Sequence, residues 1–202
     1  MDSGFFEEAR RFLPKYLNPD QTKDLYEGLK SFPEGFEYYL PSGSFAENFL
    51  QGDGWRGFTA LNFETLEKKH PVSGLIISNS CDIDPANRRD HPPNVLFAPL
   101  IRLSKYEELL AHGGQTPEQI ASKVADIKRQ HVTSIFFFPG IEGAINDSLI
   151  LLDDIHRQPL KSFQTAEKSK LFTLSQQGFY LFLMKISIHF CRFNEGIPRF
   201  VS

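Results

Sequence analysis

The chain has 202 residues, a formal net charge of -3 and only two cysteines. The charge excludes the strongly basic footprint usual for nucleic-acid binding domains, and two distant thiols exclude a disulfide scaffold and fit a reducing compartment. Twenty phenylalanines supply the apolar area of a real core and argue against disorder.

In chain order, Phe5, Ala9, Phe12 and Tyr16 recur at helical spacing, with Pro14 set to bend or end the helix. A second short helix carrying Leu25, Leu29 and Phe32 runs to Pro33-Glu34-Gly35. Residues 1–35 thus read as a helical addition to a single α+β domain over 36–202. From Phe36 the pattern changes to short runs, FEYYL, FTALNF, GLIIS and NVLFAPLIRL, separated by turn residues, which predict strands. Ser104 to His112 predicts a helix stopped by Gly113-Gly114. Thr116-Pro117-Glu118-Gln119 has the pattern of a capped helix start, and Ile120, Val124 and Ile127 give that helix one apolar face. TSIFFFP, SLILL and Lys170–Leu174 predict further strands. Ser175 caps a final helix, from Gln176 to about Phe193, that is apolar on most sides. Its narrow polar stripe, Lys185, His189 and Arg192, reads as the solvated edge of a buried helix.

Familiar catalytic motifs are absent. Gly52-Asp53-Gly54 lacks the Lys-Ser/Thr of a P-loop, and there is no nucleophile elbow, CxxC pair or HExxH. No cofactor or metal is expected. The acidic N-terminus and the lack of an apolar run of ~20 residues predict a cytoplasmic protein without a membrane helix.

Chemistry-bearing side chains concentrate in GLIISNSCDIDPANRRDHPPNVLFAPLIRL, residues 74–103. Ser78, Asn79, Ser80, Cys81, Asp82 and Asp84 follow an apolar run, where loops carry function. Cys81 as a nucleophile is disfavoured by the neighbouring carboxylates. Asp82, Asp84 and Asp90 could hold a hard cation, but their spacing matches no known loop. The favoured reading makes Asp82 a buried acceptor that ties the loop to backbone amides, with Ser78, Asn79, Ser80, Asp84, Arg88 and Arg89 as binding residues.

The order His-Pro-x-x-Gly-Leu-Ile-Ile-Ser followed by Asn-Val-Leu-Phe-Ala-Pro-Leu resembles the strand pair of MazF/PemK-type small barrels. Gly52-Asp53-Gly54-Trp55 is similar to the Gly-Asp that opens them. The resemblance covers residues 52–104. It implies an SH3-like barrel, or a bent antiparallel sheet, flanked by N-terminal helices and packed on the C-terminal helix. It further implies cleavage of single-stranded RNA, for which His70, Arg102 and Asp82 are the catalytic candidates. The sequence departs from the family where its arginine before proline is His70, and where Ile101 replaces a Thr or Ser. Ser-x-Ser-Cys-Asp-Ile is also similar to a segment of uncharacterised bacterial and phage-linked proteins, some near defence genes, which implies a prokaryotic accessory protein.

Two function classes follow. The favoured one is a non-catalytic protein-binding or assembly module, possible links to phage defence or toxin systems included, with a partner or second copy on the C-terminal helix. The other is a MazF/PemK-type endoribonuclease.

Overall fold

The computed structural model describes residues 19–190 except 63, 64, 66, 85, 88 and 89. The helix predicted around Phe5–Tyr16, the arginines Arg88 and Arg89, and Cys191 lie outside the described residues.

The architecture is α+β. Helix α1 (Pro19–Ser31) is followed by strands β1 (Gly54–Leu61) and β2 (Lys68–Ile76), the short helix α2 (Ser80–Ile83), and strands β3 (Asn94–Pro99) and β4 (Ile101–Arg102). Helices α3 (Leu103–His112) and α4 (Pro117–Lys128) lead to β5 (Ile135–Phe138) and β6 (Ser148–Leu151). Then come β7 (His156–Pro159), α5 (Leu160–Thr165), β8 (Ser169–Phe172) and α6 (Gln176–Phe190). A five-stranded antiparallel sheet has the order β7-β3-β2-β1-β8, and a three-stranded one the order β4-β6-β5.

The larger sheet is strongly bent but does not close into a barrel, because β7 and β8 remain its edges. Two other strands separate β7 from β1, a span of about 14 Å in a flat sheet. Nevertheless the Thr59 amide of β1 donates to Gln158 Oε1 of β7 at 2.8 Å. The bend has a local cause: β1 shifts register on both sides of Phe58, and Gly57 has φ +122°. Bulges of this kind sharpen twist and leave an amide outside the ladder. Gln158, a polar side chain in the core, takes up that amide.

NVLFAPLIRL, which reads as one strand, is two. Pairing of β3 with β2 ends at Pro99, the Leu100 amide donates to Ser73 O at 2.8 Å, and Ile101–Arg102 then pairs with β6 in the second sheet. A proline has no amide to continue the ladder, so the chain changes sheets there. FEYYL also differs from expectation, making a single bridge between Tyr39 and Leu174. Neither β7 nor α5 has a period in the sequence that reveals it.

Every residue of β5 is buried. The period of two sends Phe136 and Phe138 into a cluster with Phe172 and Phe182, and Ile135 and Phe137 into another with Leu103, Ile127 and Leu149. Phe58 stacks between Phe97 and Phe163 in a third. Helix α6 is capped as expected, with Ser175 Oγ accepting from Gly178 N at 3.0 Å. A Cβ on Gly178 would lie 2.3 Å from Tyr38 O, so only glycine lets α6 sit directly on segment 36–40. On its other side α6 meets α1, with Leu25 and Leu29 packed against Tyr180. No helix among the described residues is long and apolar enough to cross a membrane.

Candidate functional site

The Ser78–Asp84 segment is built from the end of β2. Ser78 Oγ accepts from the Leu96 amide at 2.8 Å, which extends the β2–β3 contact past the ladder. Asn79 Oδ1 accepts from Cys81 N at 2.9 Å and caps α2. Ser80 Oγ accepts from Gln51 N at 2.9 Å, and the Gln51 side chain donates to Ile77 O at 2.8 Å. Asp84 Oδ1 accepts from Ala86 N at 2.8 Å in an Asx turn. Ile83 is fully buried and pins α2 to the core. These polar groups therefore satisfy backbone amides and hold the loop in one shape.

Asp82 is exposed, not the buried acceptor expected from its place after an apolar strand. The four residues of α2 turn Ile83 inward and leave Asp82 facing out. Cys81 is exposed. It lines a cleft of about 170 Å³ with Glu47, Asn48, Ser80 and Asp84. No histidine or other general base except carboxylates lines this cleft among the described residues, and no group of three or more His, Cys, Asp or Glu is placed to hold a metal ion.

The three residues nominated for catalysis stand on separate elements. His70 is exposed near the start of β2, with Nδ1 3.2 Å from Phe58 O and 3.1 Å from Thr59 Oγ1. A carbonyl only accepts, so the contact with Phe58 places the proton on Nδ1 and leaves Nε2 as the basic nitrogen. Asp82 lies beyond the opposite end of β2. His70 and Ile76 alone are separated by roughly 20 Å of extended chain. Arg102 is exposed at the end of β4, in the other sheet. Asp90 and His91 are exposed in the loop before β3.

The buried carboxylate of this region is Asp53. Its Oδ2 accepts from Leu50 N at 2.9 Å and from Lys170 Nζ at 2.8 Å. Lys170 Nζ also donates to Phe45 O at 2.7 Å and Thr173 Oγ1 at 3.0 Å, and lies 5.3 Å from the centre of the Trp55 ring. Burial pushes the Asp53 carboxyl up, and the bonds from Lys170 and Leu50 pull against that. Nothing in the sequence pairs residues 53 and 170, since the contact depends on β1 lying beside β8. This network fastens the loop before β1 to the edge strand.

A larger cavity, about 540 Å³, opens between α1, α6 and the turn after α4. Its walls are Leu29, Phe32, Leu181, Met184 and Ile188, with Arg129 and Lys185 as the cations and His131 beside them. Lys185 is 5% exposed, which corrects its reading as part of a solvated stripe. Its Nζ donates to the backbone carbonyl of Gln130. Gln130, at φ +60°, ends α4, and its side-chain amide bonds Phe137 N and O of β5 at 3.2 and 2.8 Å. One turn thus ties α4, β5 and α6 together. Desolvation brings the Lys185 ammonium down to about 8. The i, i+4 stripe Lys185–His189 is visible in the sequence, but the burial of its first member, bonded to the turn after α4, is set by tertiary packing.

No family model matches the chain, and no curated protein matches it.

Proposed function

We propose that the protein is a non-catalytic assembly module whose partner surface is the outer end of α6, and that the available partner is a second copy of the chain. One observation carries this reading. A helix whose middle fills the core, with Phe182 fully buried, ends in Ile188 at 40% and Phe190 at 54% exposed. Ile188 is itself a wall of the α1–α6 cavity, and Phe190 follows two residues on. Large apolar side chains left exposed at the end of an otherwise packed helix are surface that a second copy can cover. The Ser78–Asp84 loop supports the same reading, because Ser78, Asn79, Ser80 and Asp84 are spent on backbone amides rather than gathered around a reacting centre.

Sedimentation velocity across a wide concentration range tests this. The wild type should pass from monomer to dimer, and Phe190→Asp should weaken association at least about tenfold, as loss of a central apolar anchor does. A wild type that stays monomeric throughout overturns the reading.

His70 supports a second reading. With Nδ1 held against Phe58 O, its Nε2 projects as a base from an exposed strand, which suits acid–base chemistry on RNA of the MazF/PemK kind. In this reading the bent β1–β2–β3 sheet is an SH3-like barrel left open at one side. Purified protein should then cleave single-stranded RNA and lose that activity in His70→Gln. Equal cleavage by the two proteins, or none by the wild type, removes it.

A further inference from the structure

We infer that the cavity between α1, α6 and the turn after α4 is a binding site for a free amphipathic monocarboxylate, with the carboxylate on Lys185 and the apolar tail against Leu29, Phe32 and Met184. The site adjoins the self-association surface, since Ile188 belongs to both, but differs from it in chemistry. It rests on a buried cation rather than on exposed rings.

Three observations lead to this class of ligand. The cavity, about 540 Å³, falls within the range of small-molecule pockets and far above that of a trapped water. Its walls are mostly aliphatic and aromatic, as pockets for apolar bodies are. The charged groups lining it are Lys185 and Arg129, with His131 beside them and no carboxylate in the lining among the described residues. Asp126 stands 3.6 Å from His131 Nδ1 but is itself exposed on α4.

Lys185 is the decisive residue. An ammonium carries three donors, and the structure gives this one a single acceptor, the Gln130 carbonyl, and no counter-ion among the described residues. A buried cation in that state costs stability unless it is paired. A carboxylate entering the cavity supplies the missing charge and accepts the remaining donors, while its tail displaces water from the apolar walls. An alcohol of the same length can do the second but not the first.

Calorimetric titration of the full chain with decanoate and with decanol tests the inference. Saturable binding of one decanoate per chain is expected, at least about tenfold tighter than decanol. Lys185→Met should reduce decanoate affinity by a similar factor and bring it level with decanol. Met184→Trp, which fills the cavity and keeps the lysine, should block both. Absence of saturable decanoate binding overturns the inference. Equal affinity for decanoate and decanol in the wild type also overturns it, and needs no variant to fold.

Discussion

Lys185 and Asp53 show how differently two buried charges are treated in one small fold. Asp53 is matched by Lys170, all of whose donors are used. Removing either partner leaves the other buried and uncompensated. Asp53→Ala should therefore lower stability by about 3–5 kcal/mol, read as a loss in chemical denaturation. The Asp53→Ala/Lys170→Met double variant should recover a large part of that loss. Lys185 has no such match among the described residues, and replacing it should have the opposite sign. Lys185→Met should raise stability at pH 7 by roughly 1–2 kcal/mol, because a desolvated ammonium is exchanged for an apolar side chain of similar length. The pH dependence follows from a folded-state value of about 8 against 10.5. Between those values the unfolded chain binds more protons than the folded one, so wild-type stability gains from this residue as pH rises. The advantage of Lys185→Met is full below about pH 8 and should shrink towards pH 10.5. A constant gap between the two proteins across that range would contradict the burial argument. Cys81, exposed on α2, should tolerate Cys81→Ser with no more than about 0.5 kcal/mol of change.

The elements were legible where their determinants are local. Thr116 and Gln119 form the reciprocal capping box that their spacing predicts, with bonds of 3.3 and 2.9 Å. TSIFFFP and SLILL form strands because short β-branched and aromatic runs between turn signals have few other uses. Elements set by distant contacts were not legible. Strand β7, His-Arg-Gln-Pro, has no apolar alternation, and Gln158, its one buried residue, is spent on the Thr59 amide across the bend. The same limit explains the candidate site. Asp82 carries the sequence signal of a buried acceptor, yet that role belongs to Asp53, whose partner lies 117 positions away and comes near only through the β1–β8 pairing. The Gln158 bond gives a test at this scale. Gln158→Leu keeps the volume but orphans the Thr59 amide, and should cost about 1–3 kcal/mol. Hydrogen exchange at the Thr59 amide should accelerate in that variant, whereas unchanged protection there would mean that the sheet does not need this strut.

In the whole molecule, two antiparallel sheets share a phenylalanine-rich core, and α6 bridges it to α1. The class α+β and the buried C-terminal helix could be read from composition and pattern. The change of sheet at Leu100 and the open edge of the larger sheet could not, because strand order leaves no periodic trace in a chain. The same architecture sets the functional proposal. The core consumes α6 as far as Lys185 and leaves Ile188, a wall of the cavity, and Phe190 exposed. Hydrogen exchange of the wild type at high and low protein concentration tests most directly whether a second copy covers that turn. Amides of residues 186–190 should lose protection on dilution, while those of β5 and β6 stay unchanged at both concentrations. Identical exchange along α6 at the two concentrations would contradict assembly through this helix.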